Sequence, residues 1–318
     1  MSYGRSLRAL FALTALGYSG CAEEPADSRY VDAGASLSDG SVQADAGKAD
    51  AGTRTDGNPA TATRDFAKFE KAVDDAVAAH NATATPDLQI RGLSTVVVDR
   101  EDGVVHTSGH GDFDADRLYL IASSSKILSV GVLMRLADQG KLDIDAPISR
   151  YLPEAWGAHK QGVSVASLVS NSSGLPSLGE IIANSSAYLP HLCQYSDQGS
   201  LESCGRAIYS DDSPGANREP DKQFRYGGSQ WQLAGAVAEQ VSGKSWAELI
   251  EETYRAPCGV ESLGYTNQFA KSSLGYPKDF DGDASLQPKT QNPSIEGGAY
   301  ITGPDYGKLL HMHLRGGT

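Results

Sequence analysis

The 318-residue sequence lacks the marks of several large protein classes. No apolar run approaches the roughly 18 residues that span a membrane as a helix. Basic residues are scarce: 27 Lys and Arg stand against 40 Asp and Glu, a formal net charge of −13. That balance argues against nucleic acid as a partner, because such affinity rests on Lys and Arg neutralising phosphates. There is no G-x-S-x-G elbow of the α/β-hydrolase type. No G-x-x-x-x-G-K-[ST] or G-x-G-x-x-G phosphate loop sits between a strand and a helix. Long repeats, sustained heptads and collagen-like triplets are absent. Metal ligation is poorly served as well. His106 and His110 lie in a turn-rich, Gly-containing stretch, His311 and His313 lie far away, and neither pair has further convergent ligands beside it. No metal or other cofactor is implied.

Apolar residues make up 40 % and charged residues 21 %, enough for a packed core. Near the N-terminus Arg5 and Arg8 precede the short apolar run Ala9–Leu16, the pattern of a secretory signal peptide. The segment closes on Tyr18-Ser19-Gly20-Cys21, which resembles a bacterial lipobox, with Tyr18 where Leu is usual. The resemblance implies that Cys21 is lipidated and that the protein is exported to the bacterial cell envelope, held at the membrane by a lipid anchor in the periplasm or at the cell surface. Residues 22–62 carry eight acidic and three basic residues, and their only large apolar side chains are Tyr30, Val31, Leu37 and Val42. Such a segment cannot bury enough surface to offset chain entropy and reads as a disordered Ala/Asp/Gly/Ser linker. With 1–21 as signal and 22–62 as linker, residues 63–318 remain as one domain.

Within that domain Phe66, Phe69, Val73 and Val77 recur at helical spacing and predict an amphipathic helix over 64–80. Ser94–Asp99 is β-branched, Glu101-Asp102-Gly103 is a turn, and Val104 starts a return strand. A hairpin after a helix points to an antiparallel sheet, since parallel pairs need a long crossover. Leu118–Ala122 reads as a strand leading into a helix that ends near Gly140. Two further helices are predicted, Gln230–Val241, stopped by Ser242-Gly243, and Trp246–Tyr254.

The sharpest chemical feature is Ser123-x-x-Lys126. A Ser hydroxyl is a weak nucleophile and needs an adjacent base. If Ser123 opens the helix, Lys126 follows one turn on and on the same face, so the spacing alone brings an amine beside a hydroxyl. An amine held away from water can accept a proton. The free N–H groups of a helix N-terminus add a positive potential near the reacting oxygen. The bland alternative is a serine-rich helix cap.

Three blocks occur in order: Ile121-Ala122-Ser123-Ser124-Ser125-Lys126, then Leu133–Pro153, then Ser167-Leu168-Val169-Ser170-Asn171-Ser172-Ser173-Gly174-Leu175-Pro176. Together they resemble the serine β-lactamase and penicillin-binding-protein superfamily. The nearest likeness is to its β-lactamase-related branch of class C β-lactamases, D-Ala-D-Ala carboxypeptidases and esterases, from about residue 92 to 318. The resemblance implies an α/β (α+β) fold of β-lactamase/transpeptidase type, an antiparallel sheet flanked by helices plus a helical lobe. It also implies a serine hydrolase that passes through an acyl-enzyme on small-molecule or peptide substrates: esters, D-Ala peptides or β-lactams.

The family's Tyr-x-Asn element maps to Tyr226-Gly227-Gly228, which makes Tyr226 the proton-transfer partner of Ser123 and Lys126. The Asn, which would hydrogen-bond the substrate amide and Lys126, is replaced by Gly228. Its loss disfavours efficient penicillin hydrolysis and favours ester or non-lactam amide chemistry. Gly228 and Gly298, the latter in the glycine-rich run Glu296-Gly297-Gly298, are the expected substrate-binding positions. A third family motif, Lys-Ser/Thr-Gly or His-x-Gly, does not occur before Thr318, so the chain is expected to be C-terminally incomplete relative to the family. Gly228 and the missing motif also motivate an alternative, a non-catalytic surface binding protein that keeps the fold.

Cys193 and Cys204 lie in what reads as a polar loop, and an exported protein favours disulfides, so a bond closing a surface loop is expected. Cys258 is then left unpaired within the sequence. It has no suitably placed His, which argues against a catalytic thiol.

Overall fold

The consecutive Val96, Val97 and Val98 and the turn after them fold into a β-hairpin. The computed structural model describes residues 64–267, 282 and 289–317. The signal 1–21 with Cys21 and the linker 22–62 lie outside the described residues. Strand β1 (Gly92–Asp99) pairs antiparallel with β2 (Gly103–Gly111), with a bulge after Val97. Helix α1 (Ala67–Asn81) starts three residues later than its periodicity suggests and has no fully buried residue. Polar contacts tie it to the hairpin: His106 Nε2 lies 2.5 Å from Glu70 Oε1, and His110 Nδ1 lies 2.8 Å from Asp74 Oδ1. Phe66 stacks on the His106 ring. Both histidines therefore belong to a regular strand rather than to a turn-rich stretch.

A second antiparallel sheet contains β3 (Leu118–Leu120), β4 (Gly264–Tyr265) and β5 (Ala299–Thr302), with β5 in the middle. Between β3 and β4 the chain builds the helical lobe: α2 (Ser125–Asp138), α3 (Val165–Val169), α4 (Leu178–Ala183), α5 (Leu201–Tyr209), α6 (Gly228–Ser242), α7 (Trp246–Ile250) and α8 (Ala256–Cys258). Helix α9 (Gly303–Leu314) follows β5 and packs on the β1–β2 hairpin. The helix expected over Trp246–Tyr254 is α7 followed by a π-helical turn, Glu251–Arg255. That turn carries the buried Tyr254 inward, where its hydroxyl donates to Leu128 O at 2.9 Å.

Leu128, Val132, Leu133 and Leu136 face the core from α2, and α6 is buried from Gly228 to Ala238. Burying each large aliphatic side chain contributes roughly 1.5–3 kcal/mol. Helices α5 and α6 approach so closely that a Cβ on Gly205 would lie 2.4 Å from Ala236 Cβ, which is why small residues meet there. Cys193 and Cys204 are joined, as expected, but not across a surface loop. Cys204 lies buried on α5 and Cys193 in a 3₁₀ segment, Ser185–Tyr195, so the bond fastens two helical elements at the core. Cys258 is free, with its thiol 3.6 Å from Met312 Sδ, and burial pushes that thiol's pKa up.

Candidate active site

After β3 the Ile121 amide bonds Ala299 O at 3.0 Å and then the chain reverses sharply. Ala122 accomplishes the reversal at φ +44°, a left-handed conformation that costs a non-glycine residue about 1–2 kcal/mol. A 3₁₀ turn, Ala122–Ser124, precedes α2, so Ser123 stands one turn ahead of the α-helix rather than opening it. The base of the turn is fastened from below. Ser125 Oγ donates to Ala122 O at 2.6 Å and accepts from the Ala299 amide at 3.0 Å. Ser129 Oγ donates to Ile295 O at 2.7 Å. Ser123 is left exposed above this staple.

Three of the expected residues converge there. The Ser123 and Tyr226 hydroxyls are hydrogen-bonded to each other. Lys126 Nζ reaches Ser123 Oγ at 3.2 Å and Tyr226 Oη at 2.8 Å. Lys126 Nζ also lies 4.6 Å from the Tyr226 ring centroid.

Tyr226 is placed by its neighbours. Arg225 is buried, and its guanidinium donates to Glu180 Oε2 at 2.5 and 3.1 Å and to Gly174 O at 2.5 Å. The Arg225 amide bonds Asn171 O, and Tyr226 O accepts from the Leu178 amide, both at 2.7 Å. Glu180 also caps α4 through Ser177. Burial would raise its carboxyl, but the Ser177 bonds and Arg225 outweigh that and hold it below the usual value.

The two expected substrate-binding glycines are not open to a ligand. Gly298 is buried, and a Cβ there would lie 2.1 Å from Thr266 O, so its role is close backbone packing. Gly228 is also buried; a Cβ there would fall 2.3 Å from Glu296 Oε1 and 2.1 Å from Gln194 Oε1. The space of the missing Asn is filled, and what fills it was not foreseen. Lys126 Nζ donates to Glu296 O at 3.0 Å and to Glu296 Oε2 at 3.1 Å. A lone charge in the otherwise small and apolar run Pro293–Ala299, opposite a glycine in place of Asn, was the available signal.

A second buried polar chain lies behind α6. Gln194 Nε2 donates to Ser229 Oγ at 2.9 Å, and Ser229 Oγ lies 2.8 Å from His191 Nδ1. His191 Nε2 lies 3.1 Å from Asp211 Oδ2. A neutral ring that accepts from Ser229 and donates to Asp211 satisfies each of these groups. Burial pushes His191 down to about 4 despite the pull of Asp211, and it pushes the neighbouring Lys160 down to about 8. A depressed histidine adds stability above its unfolded pKa, near 6.5, and that stability is lost as pH falls toward 4. The size of the effect is up to about 3 kcal/mol. Glu239, raised by burial to about 6, acts in the opposite sense over a narrower window and does not cancel it. The melting temperature is therefore expected to drop from pH 7 to pH 4, and His191→Gln to flatten that drop. An unchanged slope in the variant would assign the acid sensitivity elsewhere.

An exposed serine, a lysine one turn on and a tyrosine from the facing loop, set where an antiparallel sheet meets a helical lobe, define a fold of the β-lactamase/transpeptidase type. Residues 66–318 match the family described as Beta-lactamase, and the chain belongs to that family. Among its relatives, Protein flp of Staphylococcus aureus (strain COL) is 24 % identical over 207 residues, 60 % of this chain and 39 % of that one. The teichoic acid D-alanine hydrolase of Staphylococcus aureus is 24 % identical over 212 residues, 64 % of this chain and 49 % of that one. The chain thus spans less than half the length of either relative. The D-amino acid amidase of Ochrobactrum anthropi SV3, solved with L-phenylalanine amide, superposes with a TM-score of 0.57 at 21 % identity, covering 79 % of this chain and 71 % of the amidase. At that identity the likeness is one of fold.

Proposed function

We propose that the protein is a serine hydrolase that cleaves small esters or amides through an acyl-enzyme. The observation that carries this reading is the mutual hydrogen bonding of Ser123 Oγ, Tyr226 Oη and Lys126 Nζ at an exposed strand-to-helix turn. Ser123 Oγ attacks the carbonyl carbon while its proton passes to the Tyr226–Lys126 pair. The tetrahedral adduct collapses, and the departing alcohol or amine takes that proton. Water then adds to the acyl-enzyme, giving up a proton to the same pair, and the acid leaves as the proton returns to Ser123. Backbone amides at the start of the 3₁₀ turn offer the positive potential that the oxyanion needs.

With no amide side chain at 228, the site favours esters over β-lactams. Relatives named for D-alanine hydrolysis and D-amino acid amidase activity extend the substrate class to acyl groups with a D-amino acid. The N-terminal signal pattern and the lipobox-like run ending at Cys21 support a reading of this activity as one of the bacterial cell envelope, held on a lipid anchor. The full chain is expected to hydrolyse p-nitrophenyl acetate and D-alanine esters, with nitrocefin turned over far more slowly and Ser123→Ala inert. Equal ester rates in wild type and Ser123→Ala would overturn the reading and favour a binding protein with this fold.

A further inference from the structure

We propose that Glu296 is the residue that positions Lys126, and that Gly228 is a glycine in order to admit its carboxylate. The inference deepens the hydrolase reading and rests on it. A lysine ammonium has three N–H donors and a neutral amine has two. The Glu296 carbonyl and carboxylate oxygens can only accept, so both contacts, at 3.0 and 3.1 Å, must consume donors of Lys126. One tetrahedral direction of Nζ is left, and it faces Ser123 Oγ and Tyr226 Oη. Glu296 thereby decides the rotation of the amine about its last bond, and with it whether the free position addresses the nucleophile.

The pair is shielded, with side chains 14 % exposed for Lys126 and 10 % for Glu296, so a partner lost there is not replaced cheaply by water. The second carboxylate oxygen is held over Gly228, where any side chain would collide with it. Gln194 closes the far side. Its Nε2 is committed to His191 O and Ser229 Oγ, and its Oε1 has no hydrogen-bond partner among the described residues. The Glu296 carboxylate pairs with Lys126, Oε2 to Nζ, at 3.1 Å. Holding Lys126, a task that the Tyr-x-Asn pattern gives to a side chain at 228, falls to a residue from the segment before β5.

The test uses the full chain, with p-nitrophenyl acetate turnover and the rate of labelling by a fluorophosphonate. Glu296→Gln keeps the shape and loses the charge, and it is expected to lower kcat about tenfold with KM within twofold. Glu296→Ala is expected to lower kcat about a hundredfold, and labelling of Ser123 should slow in step in both variants. A Glu296→Gln variant with wild-type kcat and labelling rate would overturn the proposal. A thermal double-mutant cycle of Glu296→Gln, Lys126→Met and the pair is independent of turnover. The paired variant is expected to lose less in melting temperature than the two single losses summed, and strict additivity would also overturn the proposal. A wild-type chain that takes no label and turns over no ester defeats the hydrolase reading, whereas the cycle still decides whether Glu296 holds Lys126.

Discussion

Replacing Lys126 by Met is expected to lower kcat for ester hydrolysis by about 10²–10⁴-fold, the usual range for removing a positioned acid–base group. KM should move much less, because Lys126 sits beneath the nucleophile and bonds Ser123, Tyr226 and Glu296 rather than an open subsite. Lys126→Arg should not rescue, since the planar guanidinium stays charged and cannot take a proton from Ser123. Steady-state kinetics on p-nitrophenyl acetate, with near-UV circular dichroism to establish folding, read this directly. A folded Lys126→Met variant within threefold of wild-type kcat would remove the lysine from the mechanism.

The largest expected loss of stability belongs to Arg225→Ala. The guanidinium is 5 % exposed and holds Glu180 together with the carbonyls of Gly174 and Gly215. Breaking a buried ion pair from one side typically costs 3–5 kcal/mol. The lower end applies here, because Arg218 still pairs with Glu180 at 3.0 Å. About 3 kcal/mol corresponds to a fall of roughly 6–12 °C in melting temperature for a domain of this size. Arg225→Lys should recover little of it, as one ammonium cannot serve the carboxylate and both carbonyls in the same geometry. Because Arg225 precedes Tyr226, kcat should fall in the same variant even below its melting temperature. A thermal melt within 2 °C of wild type would show that the loop is held by its backbone bonds alone.

How much of this was legible in the sequence follows from the range of the interactions involved. Ser123 and Lys126 are local: three residues apart at a helical start, they meet whatever the rest of the fold does. The β1–β2 hairpin is local too. Helix α5 was also within reach. Leu201, Cys204, Gly205 and Ile208 recur at helical spacing behind the capping pair Ser200 and Ser203, but the surrounding polar residues disguised them as a loop. Tyr226 required a resemblance, because nothing local says that a tyrosine a hundred residues on returns to Ser123.

The Glu296–Gly228 fit was out of reach for a different reason. It is a shared volume between a loop and a helix start, and a glycine in sequence does not reveal which atom takes the place of its side chain. Gly228 and Gly298 were expected to face substrate because family position carried the assignment, whereas burial decides it, and both are covered. The chain Gln194–Ser229–His191–Asp211 was equally hidden, since it joins the 3₁₀ segment Ser185–Tyr195, helix α6 and the loop after α5 through buried side chains.

Activation of Ser123 as a nucleophile is read from the intact mass of the full chain after incubation with a fluorophosphonate, run beside Ser123→Ala. A single adduct is expected on the wild-type chain, mapped to Ser123 by peptide sequencing, and none on the variant. A folded wild-type chain that stays unlabelled, or one labelled equally with Ser123→Ala, would contradict that activation.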